Sequence, residues 1–402
     1  MTRKEKAFGL VAAVAAIGAV AAAPASAAAG AACSRSNPCT LAQAINGSPA
    51  GATAYVKAGK YAGGFVIAKK LHLVAQGRVV LDASTSPNGI GLDVVGPGGS
   101  GSVIDGFVVE KAQQEGILVG NNPGDPNVKP APVTGVVVQN NVVEWNDQGR
   151  TNPKATGECK ATPPQPADCG GGIHLIWASN STVVHNVVAY NADGILLTDE
   201  FGPTSHNTVS KNRVLNNLWE CGIVLAGHSS KATDKTGKLT PSLGGVFANT
   251  IESNLVRNNG VSLSGAGVLM GGGAPGSAVY DNVIRGNTIE ISGHAPVTIH
   301  QHVAGYLGGN VIENNVIGKG NTIGDDDFAA AQDMKTTGIL VASGAPPGAA
   351  LPPFLLPSPI TGTVIKGNKI TGVDVGVWTL NAPGDFSSNT FGPNVAAPVV
   401  QH

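Results

Sequence analysis

The sequence is short of charge and of aromatic rings. Charged residues are 13% of 402 and aromatics 4%, with only three methionines. An average globular chain carries about 25% charged residues. So little charge, at a net of −1, leaves no basic field for nucleic acid and no material for a coiled coil. After residue 27 no stretch is long and apolar enough to cross a bilayer. What the chain does have is glycine, 56 residues, together with 26 prolines and an apolar fraction of 42%. Pro plus Gly stays below the roughly 25–30% that marks disorder, and disorder also wants low hydrophobicity. There is no collagen period either. A Gly-rich, charge-poor chain with enough apolar residues for a long core remains.

The N-terminus reads as an address. Residues 2–6 are TRKEK, followed by FGLVAAVAAIGAVAAA and then Pro24-Ala25-Ser26-Ala27. A basic start, a short apolar run and an A-x-A site predict a secretory signal over 1–27, cut after Ala27. Loss of its three basic residues and one acidic residue takes the net charge from −1 to −3. The expected mature protein, 28–402, is therefore secreted and extracellular, where disulfides persist. Of five cysteines, Cys33 with Cys39 and Cys159 with Cys169 are the natural local pairs, leaving Cys221 over. Cys169 with Cys221 is the alternative pairing.

Internal repeats decide the fold class. One phrase is Gly, Ile or Val, any residue, then an aliphatic. It occurs from Gly89, Gly116, Gly172, Gly194, Gly222, Gly267, Gly338 and Gly376, with a Pro-led copy from Pro296. A second phrase runs out of phase with it: two Asn five residues apart with aliphatics between, as at Asn207/Asn212, Asn249/Asn254, Asn282/Asn287 and Asn310/Asn315. Looser copies end at Asn141, Asn186 and Asn368. Short runs of period-2 alternation predict strands, and their regular spacing without helical patterns predicts a parallel solenoid. An Asn at one place in each coil can bond the next Asn along the stack, and it tolerates the left-handed backbone of a tight corner.

On these two phrases the chain resembles the right-handed parallel β-helix proteins of the pectate-lyase-like superfamily, over roughly residues 40–392. The resemblance implies an all-β, single-stranded right-handed solenoid of about nine or more coils. It also implies three sheets, with the Asn corner between the second and third and the Gly-Ile-x-Leu phrase on the first, groove-lining sheet. Long insertions at about 120–134, 148–170, 227–246, 318–336 and 342–361 flank that strand and would wall the groove. LAQAIN (41–46) predicts a short cap helix within an N-terminal cap at about 33–50, and a tail at about 392–402 closes the other end.

In each Gly-Ile-x-Leu strand the x residue and those two and four further on face outward. The columns are then His174, Leu196, Val224, Leu269, Thr298, Leu340 and Trp378; Ile176, Thr198, Ala226, Gly271 and His300; and Ala178, Glu200, His228, Gly273 and His302. Glu200 and His228 should be neighbours across about 4.8 Å, as a general acid/base pair. Their bland alternative is a solvated ion pair. His300 and His302 share one strand face, as partners in catalysis, as a sugar contact or as a chelate for zinc or copper, against the alternative of plain exposure. Asp199 is a second carboxylate, although its parity points it inward or into the turn. His174 and Thr198 are candidate substrate contacts. Trp378 is a candidate platform for a sugar ring, unless the C-terminal tail covers it. Asp325, Asp326 and Asp327 form an acidic run that suggests calcium, against the alternative of an exposed turn.

The catalytic signatures of the superfamily are missing. There is no Trp-x-Asp-His, no Asn-Thr-Asp with Gly-His-Gly and Arg-x-Lys, and no Asp-Pro-His-Asp. No Lys or Arg stands in the outward columns from Gly172 to Gly344. A lyase here needs calcium or a base other than Arg or Lys. A glycosidase needs two carboxylates about 5–9.5 Å apart. Two function classes follow. One is a secreted enzyme cleaving a polysaccharide or oligosaccharide, as lyase or glycoside hydrolase. The other is a non-catalytic scaffold that binds a glycan, a metal or a surface. Expected partners are glycans, with no nucleic acid and no membrane insertion, and the expected state is a monomer.

Overall fold

A computed structural model describes residues 33–120, 131–147, 170–262, 265–320, 335–345 and 348–402. Within them the chain winds as a right-handed parallel β-helix. The first sheet has eleven strands, all parallel: Phe65–Ile67, Leu92–Val94, Ile117–Val119, Gly171–Ile176, Asp193–Thr198, Ile223–Gly227, Val268–Gly272, Val297–Gln301, Thr337–Ser343, Val375–Leu380 and Ala397–Gln401. Thr182–Val184 and Val187–Ala189, which follow one another round a coil, belong to one parallel sheet of eighteen strands and pair with the coils before and after, and a smaller sheet of five short strands includes Ala178–Ser179.

The register matches the columns read from parity. His174 pairs with Leu196, Leu196 with Val224, Val224 with Leu269, Leu269 with Thr298, Thr298 with Leu340 and Leu340 with Trp378. The alternate residues, such as Ile173, Leu175, Ile195, Leu197, Ile223, Leu225, Val268 and Met270, face the interior and are fully buried. Each such aliphatic contributes about 1.5–3 kcal/mol of burial, so the stacked interior holds the coils together. One copy of the phrase is out by two residues. Leu92 pairs with Ile117, so the in-register glycine is Gly91 rather than Gly89.

The glycine of the phrase is there for space. A Cβ on Gly194 would lie 2.2 Å from the carbonyl oxygen of Gly222, and one on Gly222 would lie 2.6 Å from that of Gly267. The same clash recurs at Gly91, Gly116, Gly172, Gly267, Gly338 and Gly376. Each coil enters the first sheet so close to the next that a methyl group does not fit.

The asparagines form ladders, three of them among the described residues. Asn141, Asn186, Asn212, Asn254, Asn287, Asn315, Asn368 and Asn389 bond in series, each Nδ2 donating to the next Oδ1 at 2.9–3.1 Å. Asn207, Asn249, Asn282 and Asn310 form a second series. The third, which the five-residue pairing does not show, is Asn146, Asn191, Asn217 and Asn259. The left-handed backbone expected of the ladder Asn belongs instead to the residue before it: His185, Lys211, Ser253 and Asn314 have φ of 55–57°. The ladder Asn has another task. Its carboxamide satisfies main-chain groups of the coils on either side.

The helix Leu41–Gly47 caps the N-terminal end. Thr40 and Gln43 close a capping box, and Leu41, Ala44 and Ile45 are buried on the first coils. Cys33 and Cys39 are disulfide-bonded. Cys221 is buried, its Sγ accepting the Ala266 N–H at 3.2 Å. Cys159 and Cys169 lie outside the described residues. At the other end, residues 397–401 are the last strand of the first sheet rather than a tail laid over it. No helix among the described residues is long and apolar enough to cross a membrane.

Candidate functional site

Most of the outward face of the first sheet is closed. Along the first column Asp93, Leu118, His174, Leu196, Val224, Thr298, Leu340 and Trp378 are all buried. Leu196, Val224 and Ala226 pack with Cys221 and Ala266, and Leu340, Ala342 and Trp378 pack with Ala295 and Val375. Between these pads the face opens. Leu269, Gly272, Gly273, His300 and His302 are accessible there, with Glu200 and His228 beside them. This window is the candidate site.

Glu200 and His228 follow the ends of strands Asp193–Thr198 and Ile223–Gly227. Glu200 Oε1 lies 2.5 Å from His228 Nδ1. Glu200 Oε2 accepts from the Thr198 hydroxyl at 2.5 Å. Burial alone would push this carboxyl up. The hydrogen bond and charge of His228, the charge of His174 and the Thr198 hydroxyl outweigh it and bring it from 4.5 to about 2. Glu200 is therefore an ionised acceptor that fixes the His228 ring. His228 lies against Gly273, where a Cβ would stand 3.0 Å from its Cδ2 and 3.4 Å from its Nε2. The imidazole needs a bare neighbour, and glycine supplies one.

Thr198 and His174, the candidate substrate contacts, are both buried. Thr198 is 1% and His174 7% exposed. His174 Nε2 lies 2.7 Å from Thr198 Oγ1, and its Nδ1 lies 3.1 Å from Glu115 Oε1. Glu115, itself buried, was missed in the sequence. An acid directly before the phrase glycine, at Glu115-Gly116 and again at Asp193-Gly194, was the available signal.

Asp199 is fully buried and faces away from the window. Its carboxylate accepts the amide N–H groups of His228 at 2.6 Å, Ser229 at 3.0 Å and Gly245 at 2.5 Å. It thus ties both ends of the wall loop 228–245. Burial, helped by the Glu200 charge, raises its pKa against the pull of those three donors. It is placed to hold the wall rather than to touch a ligand.

His300 and His302 have ring centroids 5.1 Å apart, and His302 Nδ1 lies 3.2 Å from the Gly344 carbonyl. His300 leans over Gly271, whose missing Cβ would be 3.4 Å from the ring. A third histidine, His294, packs 6.2 Å from His300 and meets Thr298 Oγ1 at 3.0 Å. It sits off the strand columns and parity did not select it. No cluster of three metal-ligating side chains occurs among the described residues. Asp325, Asp326 and Asp327 lie outside the described residues. Ala178 is not in the third column; it pairs with Val133 in a separate sheet. Trp378 is no platform: it is 3% exposed, held among Leu340, Val375 and Val400 with His402 at 5.2 Å.

Residues 88–239 match the family model described as right handed beta helix region. A comparison with curated protein sequences gave no match. Among solved structures, the A-module of mannuronan C-5 epimerase AlgE4 of Azotobacter vinelandii is similar at 15% identity and a TM-score of 0.42, covering 87% of this chain and 89% of that one. Pectate lyase Pel9A is similar at 16% and 0.42, covering 89% and 74%. The Agl-KA catalytic domain is similar at 14% and 0.48, covering 90% and 64%. No activity and no residue role is taken from likeness at this level.

Proposed function

We propose that this right-handed parallel β-helix protein is a secreted, monomeric carbohydrate-active enzyme, with residues 1–27 as its export signal, and that His228 is its proton-transfer group. One observation carries the reading: the 2.5 Å contact of Glu200 with His228 at an open stretch of the first sheet. A carboxylate on Nδ1 fixes the tautomer and makes Nε2 the titrating nitrogen. Nε2 stands beside Gly273, over a floor of Leu269, Gly271 and Gly272.

The chemistry that fits is elimination on a uronic polymer. His228 removes the proton next to the uronate carboxyl. The C–H electron pair becomes a carbon–carbon double bond, the glycosidic C–O bond breaks, and the departing oxygen takes back the proton that His228 removed. His300 and His302 stand two coils beyond His228, about 10 Å away, where their ring N–H groups would bind a sugar carboxylate. Hydrolysis by two carboxylates is less well supported. Glu200 is bonded through both oxygens, Asp199 faces away, and the described residues place no other acid in the window.

The test is a panel of neutral and uronic polysaccharides, with added calcium and with chelator, read by unsaturated uronide and by reducing ends. His228→Ala should cost about 10²–10⁴-fold in rate. Reducing ends without unsaturation would replace elimination by hydrolysis. Binding without any product would leave a glycan-binding scaffold.

A further inference from the structure

A second cluster stands on the eighteen-stranded sheet, at the corner after strands such as Val187–Ala189 and Arg213–Leu215. Glu144, Ala189, Leu215, Arg257 and Glu290 pair in series across neighbouring coils. The residues after them, Trp145, Tyr190, Asn216, Asn258 and Ile291, form one corner column, all left-handed at φ 57–60°. Asparagine adopts that conformation readily, whereas bulky and β-branched side chains resist it. The backbone therefore does not explain a Trp and a Tyr here. Burial does not explain them either, since they are 50% and 41% exposed. Their rings stack on each other, 4.6 Å apart and 6° from parallel. In a chain with 4% aromatics, two large rings at a wet, disfavoured corner point to a ligand.

The next two coils extend the pair into a groove of about 360 Å³, lined by the aliphatic Leu215 and Leu255 and by Arg213, Arg257, Asn216 and Asn258. Asn258 Nδ2 donates to Asn216 Oδ1 at 2.7 Å, which leaves a donor on Asn216 and an acceptor on Asn258. Arg257 gives its Nε to Glu290 Oε1 at 3.3 Å, one of its five donors. Arg213 is exposed and stands in register between Val187 and Leu255, so neither neighbour in its column supplies an acid.

We propose that this corner is a second, non-catalytic binding site for an acidic glycan. One sugar unit packs its C–H face on the Trp145–Tyr190 pair. The carboxylate or sulfate of a neighbouring unit binds the planar fork of Arg213, and Arg257 with the Asn216–Asn258 amides takes hydroxyls. Coils about 4.8 Å apart let successive units of a chain laid along the solenoid meet successive rungs of the column. A groove this small fits a short stretch of glycan rather than a protein interface of about 800 Å² a side. A net charge of −1 argues against nucleic acid. The corner is on another sheet from the Glu200–His228 window, and binding there does not depend on the proposed chemistry.

The test is binding to the His228→Ala protein, read by the indole N–H signal of Trp145 in proton–nitrogen-15 spectra. Trp145→Asn, which suits the left-handed corner, identifies that signal by its loss. The probes are a polyuronate oligosaccharide, the same oligosaccharide with its carboxyls reduced to alcohols, a sulfated oligosaccharide and single-stranded DNA. An acidic oligosaccharide should shift the signal, and the more effective of the two names the acid group as carboxylate or sulfate. Arg213→Ala should raise the concentration for half the shift about tenfold or more, and the reduced form should need a similar excess. A Trp145 signal that neither acidic oligosaccharide moves overturns the proposal. So does a reduced form that binds as well as the acid, an unchanged midpoint in Arg213→Ala, or DNA that binds as tightly as the glycan. Inactivity on every polymer, with the Trp145 shift intact, would remove the enzymatic reading and keep this site.

Discussion

Replacing Asn254 by Ala tests whether the ladder is a stabilising device or only a mark of surface turns. Asn254 is 2% exposed. Its Nδ2 donates to Val209 O at 2.9 Å and to Asn287 Oδ1 at 3.0 Å. Its Oδ1 accepts the Asn212 N–H at 2.9 Å and Asn212 Nδ2 at 3.1 Å. Alanine strands the Asn212 amide and one Nδ2 hydrogen in the interior and takes a donor from Val209. A buried polar group left without a partner costs about 1–3 kcal/mol. Two such donors make the expected loss about 2–6 kcal/mol, a large part of the 5–15 kcal/mol typical of a domain. Urea unfolding followed by circular dichroism measures it. The exposed Asn394→Ala serves as control and should stay within about 0.5 kcal/mol. A loss below about 1 kcal/mol for Asn254→Ala would refute the ladder as a source of stability.

Other perturbations follow from the same structure. Glu200 is lowered from 4.5 to about 2 on folding. Its contribution is therefore present above its unfolded value and disappears as the pH falls from about 4.5 toward 2, worth roughly 3 kcal/mol at most; Glu200→Gln should flatten that acid limb in denaturant midpoints. Gly194→Ala forces a methyl group to 2.2 Å from the Gly222 carbonyl and should cost about 1–3 kcal/mol or more by the same unfolding assay. Gly47→Ala, with nothing within 4 Å, should be neutral or stabilising. Asp199→Ala strands three amide groups at the neck of the wall loop. Limited proteolysis should then cut within 229–244 at protease levels that leave the parent intact, and unchanged cutting would mean the loop is held elsewhere.

The fold was legible because its determinants are local and periodic. Alternation at period 2 assigns each residue of a strand to the interior or the surface, so the pairing of His174 with Leu196 and of Leu269 with Thr298 follows from spacing alone. The close contact of Glu200 with His228 was legible for the same reason, since both stand at one offset from the phrase glycine. The glycine itself marks the place where one coil crowds the next, and a repeat repeats its crowding. Parity does not say what lies above the sheet. Trp378 faces outward and is nonetheless buried, packed with Ala295, Leu340 and Val375 and flanked by Val400. His174 faces outward too, but Glu115 and Thr198 occupy both its ring nitrogens.

By itself, then, the sequence determined a charge-poor parallel solenoid, its register, its Asn corners, the short cap helix and the meeting of an acid with a histidine. All of these depend on residues a fixed distance apart along a repeating chain. Only the tertiary structure decided which stretch of the first sheet stays open, that Asp199 holds a loop, and that Glu115 stands behind His174. Those outcomes depend on segments of irregular length crossing between coils. No period in the sequence encodes where such a segment comes to rest.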